Sequence, residues 1–236
     1  MSETIRKFCI DDWGMSPSIN DAAIELIERK LIYSVSVLVS GKYMDYRLDE
    51  LLSAQSSNQV KISLHFNLTY GFKYCSPVQL TYAYFFKKLE KNFIENQLLT
   101  QLEIAKQKKI KFDMIDGHHH IHILPFVFNV IDTKFAALTN KTIRIMNDKQ
   151  HLSSWLSSFL FLVVFRAKLK KWSVLSCGYL LSKNLKNKIH FELKVNEYST
   201  LIIHSAKYND FDKIEFYDTL TVDRVREFEK ILEFCN

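Results

Sequence analysis

The stretch Asp116-Gly117-His118-His119-His120-Ile121-His122 guides the interpretation of the whole chain, because it places four of the eight histidines within five positions. Imidazole is the commonest protein ligand of transition metals. If the stretch continues a strand, the side chains of His118, His120 and His122 point to one side and that of His119 to the other. We therefore expect at least one of these rings to contact a metal or a substrate.

The residues around this stretch distinguish a functional site from a solvated histidine-rich turn, which is the alternative. Apolar Met114 and Ile115 precede the histidines, and Ile123-Leu124-Pro125 leads into a helical pattern. A strand that ends in a loop before a helix is the place where parallel α/β folds put their chemistry. Histidine clusters in that setting are candidate metal or catalytic groups, so the pattern favours a site.

Strand and helix patterns alternate along the rest of the chain. Apolar or alternating runs indicate strands at residues 8–10, 33–39, 60–68, 142–146 and 200–203, besides the strand that carries the histidines. Helical patterns lie between these runs, and an amphipathic helix is expected at 223–234. The alternation predicts an α/β protein of parallel βα units, either closed into a barrel or arranged as an open sheet.

The composition predicts one compact domain, residues 1–236, in the cytoplasm. Five glycines and three prolines leave no linker-like run, and the length is sufficient for one large core. The four cysteines lie far apart without the spacing of a zinc or redox motif, which indicates reduced thiols. A strand begins almost at once, so we expect no signal peptide. The net charge of +6 is moderate and the lysines form no stripe, so we expect no nucleic-acid partner.

Polar side chains stand where the predicted strands end. Asp11 and Asp12 follow the first strand, and adjacent carboxylates are costly unless a cation or donors neutralise them; a simple Asp-Asp turn is the alternative. His65 and Asn67 share one face of the third strand, and His204 follows the last one. Two imidazoles and a carboxylate can hold a metal that activates water. A second carboxylate and a further histidine can then move protons, which fits hydrolysis of an amide or ester.

Residues 155–172 form an unusual segment. The apolar run Trp155 to Phe165 is too short to span a bilayer, which requires about 20 residues. Basic residues and Trp172 follow it. Two interpretations remain open: a buried helix, or a segment in the membrane interface that brings the protein to the inner face of the cytoplasmic membrane.

Three motifs resemble those of the YdjC-like carbohydrate deacetylases, the family that contains the chitooligosaccharide deacetylase. The residues Cys9-Ile10-Asp11-Asp12-Trp13-Gly14-Met15-Ser16 are similar to the family's NADDFGLS opening. Leu64-His65-Phe66-Asn67-Leu68-Thr69 is similar to its LHLNLT segment, and residues 115–125 resemble HIDSHHHVHMLP. The match is spread over most of the chain, and the three motifs occur in the family's order.

The resemblance implies a single-domain, irregular (β/α) barrel with catalytic loops at the C-terminal ends of its strands. It implies removal of the N-acetyl group from an N-acetylhexosamine, either of a carbohydrate or of a polyprenyl-phosphate-linked sugar. Carried over by motif, Asp12, His65 and His118 are expected to ligate one divalent metal, with Asp11 as general base and His204 as acid. The ligand types favour Zn²⁺, and the family resemblance keeps Mg²⁺ as a second candidate.

Four further residues are expected to contact the substrate or the metal ligands: Asn67, His120, His122 and Arg144. The resemblance suggests that Arg144 orients Asp11, whereas His119 is expected to face away. After His204 the chain lacks the Pro-Gly of the family's late CHPG-like motif. This departure keeps open an alternative function, a non-catalytic relative that binds a metal or a sugar. A homo-oligomer is also left open.

Overall fold

A computed structural model describes residues 8–135, 142–146, 152–179, 200–205 and 218–235. Seven parallel strands form a closed barrel in the order of the chain. They are β1 (Phe8–Trp13), β2 (Ile32–Val37), β3 (Lys61–Phe66), β4 (Met114–Gly117), β5 (Thr142–Met146), β6 (Ser173–Tyr179) and β7 (Thr200–Ile203). The predicted (β/α) barrel is confirmed, and the open sheet is excluded.

Helices lie between successive strands from β1 to β6, as the alternating pattern predicts. Within the described residues they are α1 (Pro17–Glu28), α2 (Leu48–Ser56), α3 (Pro77–Phe85), α4 (Phe93–Gln107), α5 (Pro125–Lys134), α6 (Leu152–Val164), α7 (Arg166–Leu169) and α8 (Asp218–Cys235). The Ser-Pro pairs that open α1 and α3 explain where these helices begin. Ser16 Oγ accepts a hydrogen bond from the Ile19 N–H (3.3 Å), and Ser76 Oγ accepts one from the Gln79 N–H (3.2 Å). In both cases a proline occupies the first turn, where no amide donor is needed.

The contacts group the chain into two units. The first comprises Met1–Val37, Gly41–Ile62 and Ser176–Asn236. In this unit β1 pairs in parallel with both β2 and β7, and every residue of β1 is buried. Strands covered on both faces are apolar along most of their length, which is why a short apolar run marked β1 in the sequence.

The second unit comprises Leu38–Ser40 and Ser63–Leu175. Here β4 pairs in parallel with β3 and with β5. The register of the first of these pairs aligns His65 with Asp116. Strand pairing therefore brings two polar residues side by side in the interior, although 51 positions separate them.

The helix α6 accounts for the unusual apolar run. One face packs inward, since the ring of Phe161 and that of Phe165, the residue directly after the helix, both lie 4.8 Å from that of Phe128. The other face is exposed, and the side chain of Trp155 lies outside the described residues. None of the helices in the described part of the chain is both long and apolar enough to cross a membrane. Contact with a membrane surface stays a prediction.

Candidate metal centre

His65 lies near the carboxyl end of β3, and the carboxylate of Asp116 orients its ring. Nδ1 of His65 is hydrogen-bonded to Oδ1 of Asp116. The other carboxylate oxygen accepts a hydrogen bond from Ser63 Oγ (2.7 Å) and pairs with a guanidinium nitrogen of Arg144 (3.3 Å). All four residues are buried. A carboxylate on one ring nitrogen fixes the tautomer of a histidine and makes the other nitrogen a better metal ligand.

The surroundings of Asp116 keep it ionised. Burial alone would raise the pKa of this carboxyl group. The charges of Arg144 and His65, together with hydrogen bonds from His65 and Ser63, outweigh burial and hold the pKa of Asp116 well below its ordinary range. Asp116 is therefore an anionic partner for His65. It was not among the predicted site residues, because a carboxylate ahead of a histidine run does not reveal which ring it orients.

The histidine run does not continue β4. The strand ends at Gly117, and His118–Ile123 form a 3₁₀ helix in which His119 and His120 adopt left-handed backbone conformations, with φ of 52° and 55°. The predicted alternation of side chains is therefore wrong. A Cβ atom on Gly117 would lie 3.0 Å from Nδ1 of His122, so glycine allows the chain to turn this tightly.

The turn brings the first two histidines of the run together. The buried ring of His118 lies 4.1 Å from that of His119 and 5.5 Å from that of His65. His119 Nδ1 and Thr69 Oγ1 are hydrogen-bonded at 3.1 Å. The expectation that His119 faces away is therefore wrong. His120 is partly exposed and lines a cavity with His119.

His122 and Arg144 help to hold Asp116 in place, His122 through the backbone of Arg144 and Arg144 through its side chain. Nε2 of His122 lies 2.7 Å from the carbonyl oxygen of Arg144. Burial lowers the pKa of His122 to about 4, so the ring is neutral at pH 7 and its Nε2–H donates to that carbonyl. The bond fixes the backbone of β5 where the Arg144 side chain reaches Asp116. The pairing of Arg144 with Asp11 stays a prediction.

Asn67 organises the loop after β3. Its side-chain amide donates to Ser40 Oγ (2.9 Å) and to the Tyr70 carbonyl (2.8 Å), and its oxygen accepts from the N–H groups of Thr69 and Tyr70. Gln101 of α4 bonds both the N–H (3.0 Å) and the carbonyl (2.7 Å) of Asn67. The loop holds Thr69 against His119, so Asn67 acts on the histidines through this loop. A glutamine within a helical pattern gave no signal of the contact.

Asp11 and Asp12 lie at an irregularity in β1. The register with β2 shifts between Ile10 and Trp13, and Asp12 has a left-handed φ of 68°. Such bulges change the direction in which side chains point. Both carboxylates are buried, and Arg224 of α8 donates to Oδ2 of Asp12 at 2.6 Å. Sequence reasoning missed Arg224, because nothing in the pattern of α8 indicates a partner 212 positions away.

His204 immediately follows β7, as predicted. Its backbone N–H donates to Oε1 of Glu227 at 3.2 Å, and Glu227 is buried in α8. This bond anchors the backbone of His204. The role of its imidazole stays a prediction, and residues 206–217 lie outside the described part of the chain.

Two groups of buried side chains offer ligand atoms close enough to share one ion. One atom from each of Asp12, His65 and His118 lies within 4.8 Å of the others, and the same holds for Asp11, His65 and Asp116. A carboxylate with two imidazoles suits zinc and similar transition ions, so the donor set of the first group fits a metal.

Parallel strands with buried carboxylates and imidazoles near their carboxyl ends define a (β/α) barrel of the kind that carries its chemistry at that edge. The chain belongs to the family of YdjC-like proteins, whose model matches residues 8–232. The predicted resemblance is thereby confirmed.

One solved structure is similar to this chain over most of its length. It is that of a candidate cellobiose-phosphate cleavage protein from Enterococcus faecalis V583. The match has a TM-score of 0.68 and 16% sequence identity, and it covers 94% of this chain and 88% of the other. At this identity the likeness supports the fold alone.

Proposed function

We propose that this protein is a metal-dependent carbohydrate N-deacetylase, which hydrolyses the acetamide of an N-acetylhexosamine. The observation that carries the proposal is the proximity of ligand atoms from Asp12, His65 and His118, within 4.8 Å of one another. Membership of the YdjC-like family supports the choice of a carbohydrate as substrate.

In this proposal Asp12, His65 and His118 hold one divalent ion. The bound ion supplies Lewis-acid polarisation of the acetyl carbonyl and lowers the pKa of water. Asp116 keeps His65 in the tautomer that ligates through Nε2. Two imidazoles among the ligands favour Zn²⁺, because Mg²⁺ prefers shells made of oxygen; the family resemblance keeps Mg²⁺ as the second candidate.

The proton transfers fall to two further residues. A carboxylate oxygen of Asp11 accepts a proton from the attacking water while the oxygen of that water forms a bond to the acetyl carbon. The C–N bond then breaks, and the imidazolium of His204 donates a proton to the departing amine nitrogen. These transfers leave acetic acid and the free amino sugar, with one proton gained by Asp11 and one lost by His204. The acetic acid ionises to acetate and the amine takes up that proton, so atoms and charges balance.

Acetate release from a substrate panel tests this function. The purified protein, loaded with Zn²⁺ or with Mg²⁺, is incubated with soluble N-acetylated oligosaccharides and with polyprenyl-phosphate-linked N-acetylhexosamines. We expect acetate and a new primary amine in equal amounts from at least one class. Release from the soluble oligosaccharides alone removes the lipid-linked substrate, and no release from any member contradicts deacetylation.

A second candidate is a relative that binds a metal or sugar without catalysis. The observation that favours it is the ion pair between Arg224 and Asp12, because a guanidinium can neutralise this carboxylate without a metal. Calorimetry with N-acetylated sugars tests this candidate. It is selected if the protein binds these sugars but releases no acetate, and if Asp11→Asn binds them as tightly as the wild type does.

A further inference from the structure

The helix α3 carries an exposed apolar face. Three residues of this helix, Val78, Tyr82 and Phe85, and Phe86 directly after it have the spacing of a single helical face, and they are between 50 and 78% exposed. The buried residues of this helix are the smaller pair Leu80 and Ala83. The larger apolar side chains therefore point to solvent, the reverse of the usual arrangement of a surface helix.

The helix α6 presents a second exposed apolar face. Phe159, Leu160, Val163 and Val164 are between 50 and 66% exposed, on the side opposite the rings that pack on Phe128. The apolar character of this helix is thus divided between a buried face and an exposed one. The buried face requires apolar residues, but packing gives no reason for those on the exposed face.

The two faces border the same cavity. A cavity of about 550 Å³ is lined by Val78 from α3, by Leu160 and Val164 from α6, and by His119 and His120. We call the eight exposed side chains of α3 and α6 the apolar surface. Exposed apolar patches bordered by polar residues mark binding sites for membranes or partners.

The two sequence segments that carry the apolar surface contain basic residues and no acidic ones. Residues 70–89 and 151–179 contain no aspartate or glutamate. Lys87 and Lys88 follow α3, and Arg166, Lys170 and Lys171 follow α6, all of them exposed. Nζ of Lys88 lies 4.5 Å from the centre of the Tyr82 ring, so this charge lies directly beside the apolar side chains.

This combination selects an anionic lipid bilayer as the occupant. Large apolar side chains flanked by lysine and arginine are typical of protein segments that lie in the interface of a membrane. A second copy of the chain is disfavoured, because two copies that met through this surface would bring like charges together. We propose that the apolar surface docks on an anionic membrane, with Phe85 and Phe159 in the acyl boundary and Lys170 and Lys171 at the headgroup phosphates.

The docked orientation would bring the cavity beside His119 and His120 to the lipid surface. The proposal does not depend on deacetylation, because the residues that carry it lie outside the groups assigned to chemistry. A membrane-docked protein without deacetylase activity and an active enzyme that ignores membranes are distinguishable results.

Flotation of the protein with lipid vesicles tests the proposal. Vesicles of phosphatidylcholine alone are compared with vesicles that also contain phosphatidylglycerol. We expect the wild type to float with the anionic vesicles and to dissociate as salt rises, because headgroup attraction is screened. In the double variant Phe85→Ser/Phe159→Ser the vesicle-bound fraction should fall about tenfold or more, since two large apolar side chains no longer leave water.

Matched variants test whether vesicle binding depends on the apolar surface in particular. Leu99→Ser removes an exposed apolar side chain from α4, and Lys106→Glu reverses an exposed charge there; both should float as the wild type does. Lys170→Glu/Lys171→Glu should lose binding to anionic vesicles and keep the fold, as measured by circular dichroism. Equal flotation on neutral vesicles, wild-type binding in both double variants, or a dimer in light scattering that Phe85→Ser/Phe159→Ser dissociates would overturn the proposal.

Discussion

The guanidinium of Arg224 lies 2.6 Å from the carboxylate of Asp12, which is a proposed metal ligand. Both side chains are largely buried. Without a metal the pair neutralises a carboxylate that would be costly to bury alone. With a metal bound, the arginine and the ion share the same carboxylate, so Arg224 is expected to limit metal affinity while stabilising the metal-free protein.

Replacing Arg224 with glutamine should therefore separate these two effects. We expect Arg224→Gln to lower the free energy of unfolding of the metal-free protein by about 3 kcal/mol, the usual cost of breaking a buried ion pair. Zn²⁺ should raise the melting temperature of this variant more than that of the wild type, because the ion then supplies the missing positive charge. Thermal denaturation with and without Zn²⁺ measures both.

Arg226→Gln is the matched control for this prediction, because Arg226 is exposed on the same helix. Its stability and its response to Zn²⁺ should equal those of the wild type. If Arg224→Gln is as stable as the wild type and responds no more strongly to Zn²⁺, the ion pair affects neither the stability of the metal-free protein nor its binding of the metal.

Asp116→Asn should weaken metal binding although Asp116 is not one of the three proposed ligands. The Asp116 carboxylate orients His65 and makes its imidazole more basic, and the substitution removes this negative charge. Loss of such a partner typically lowers metal affinity by about 10- to 100-fold. Competition with a zinc chelator measures the affinity directly.

Ser63→Ala provides a graded comparison, since it removes one hydrogen bond to the same carboxylate and should have a smaller effect. Asp49→Asn, at an exposed position of α2, controls for the change of charge. Unchanged zinc affinity in Asp116→Asn would exclude a role for this carboxylate at the metal.

Asp11→Asn and Asp12→Asn should differ in the property that they lose. The first is expected to keep the metal and to lower acetate release by about 10²- to 10⁴-fold, the usual contribution of a general base. The second should lose the metal as well as activity. Metal analysis of the dialysed proteins, together with acetate release, distinguishes the two.

Asp11→Asn and Asp12→Asn serve as controls for each other, because each removes one negative charge at adjacent positions. If Asp11→Asn loses the ion and Asp12→Asn retains it, the two roles are exchanged and the proposed assignment is wrong.

His122 should make the metal-free protein less stable in mild acid. The pKa of His122 is about 4 in the folded protein because the ring is buried, whereas a histidine in the unfolded chain has a pKa of about 6.5. Between these values the unfolded chain binds a proton that the folded protein does not bind, so stability falls as the pH drops from about 6.5 to 4. His122→Gln, whose amide can donate to the Arg144 carbonyl, should reduce this slope.

Urea denaturation across that pH range, in the presence of a chelator, measures the effect. A His122→Gln protein with the wild-type slope would contradict the role assigned to burial of this imidazole.

The α/β class and the strand-end positions of Asp11, Asp12, His65 and His118 were predictable from sequence patterns, and the family resemblance selected the barrel over the open sheet. Alternating patterns and cap signals are local, and parallel strands present their carboxyl ends at a common edge. The family motifs then indicated which of these side chains to consider together.

The partners of these residues were not predictable. Asp116 reaches His65 through the register of β3 and β4, and Arg224 reaches Asp12 from a distant helix; neither contact leaves a periodic signal. The alternation assumed for the histidine run failed for a local reason, because left-handed backbone angles at His119 and His120 end the strand earlier than the pattern indicated.

The double hydrogen bond between Gln101 and the backbone of Asn67 has a consequence for motion. The side-chain amide of Gln101 makes the hydrogen bonds that the peptide group of an adjacent strand would make. The backbone of Asn67, the residue after β3, is therefore paired as if the strand continued by one residue. The segment that bears Thr69 and Tyr70 is thereby tethered to α4, and any displacement of that helix would carry this segment along with it.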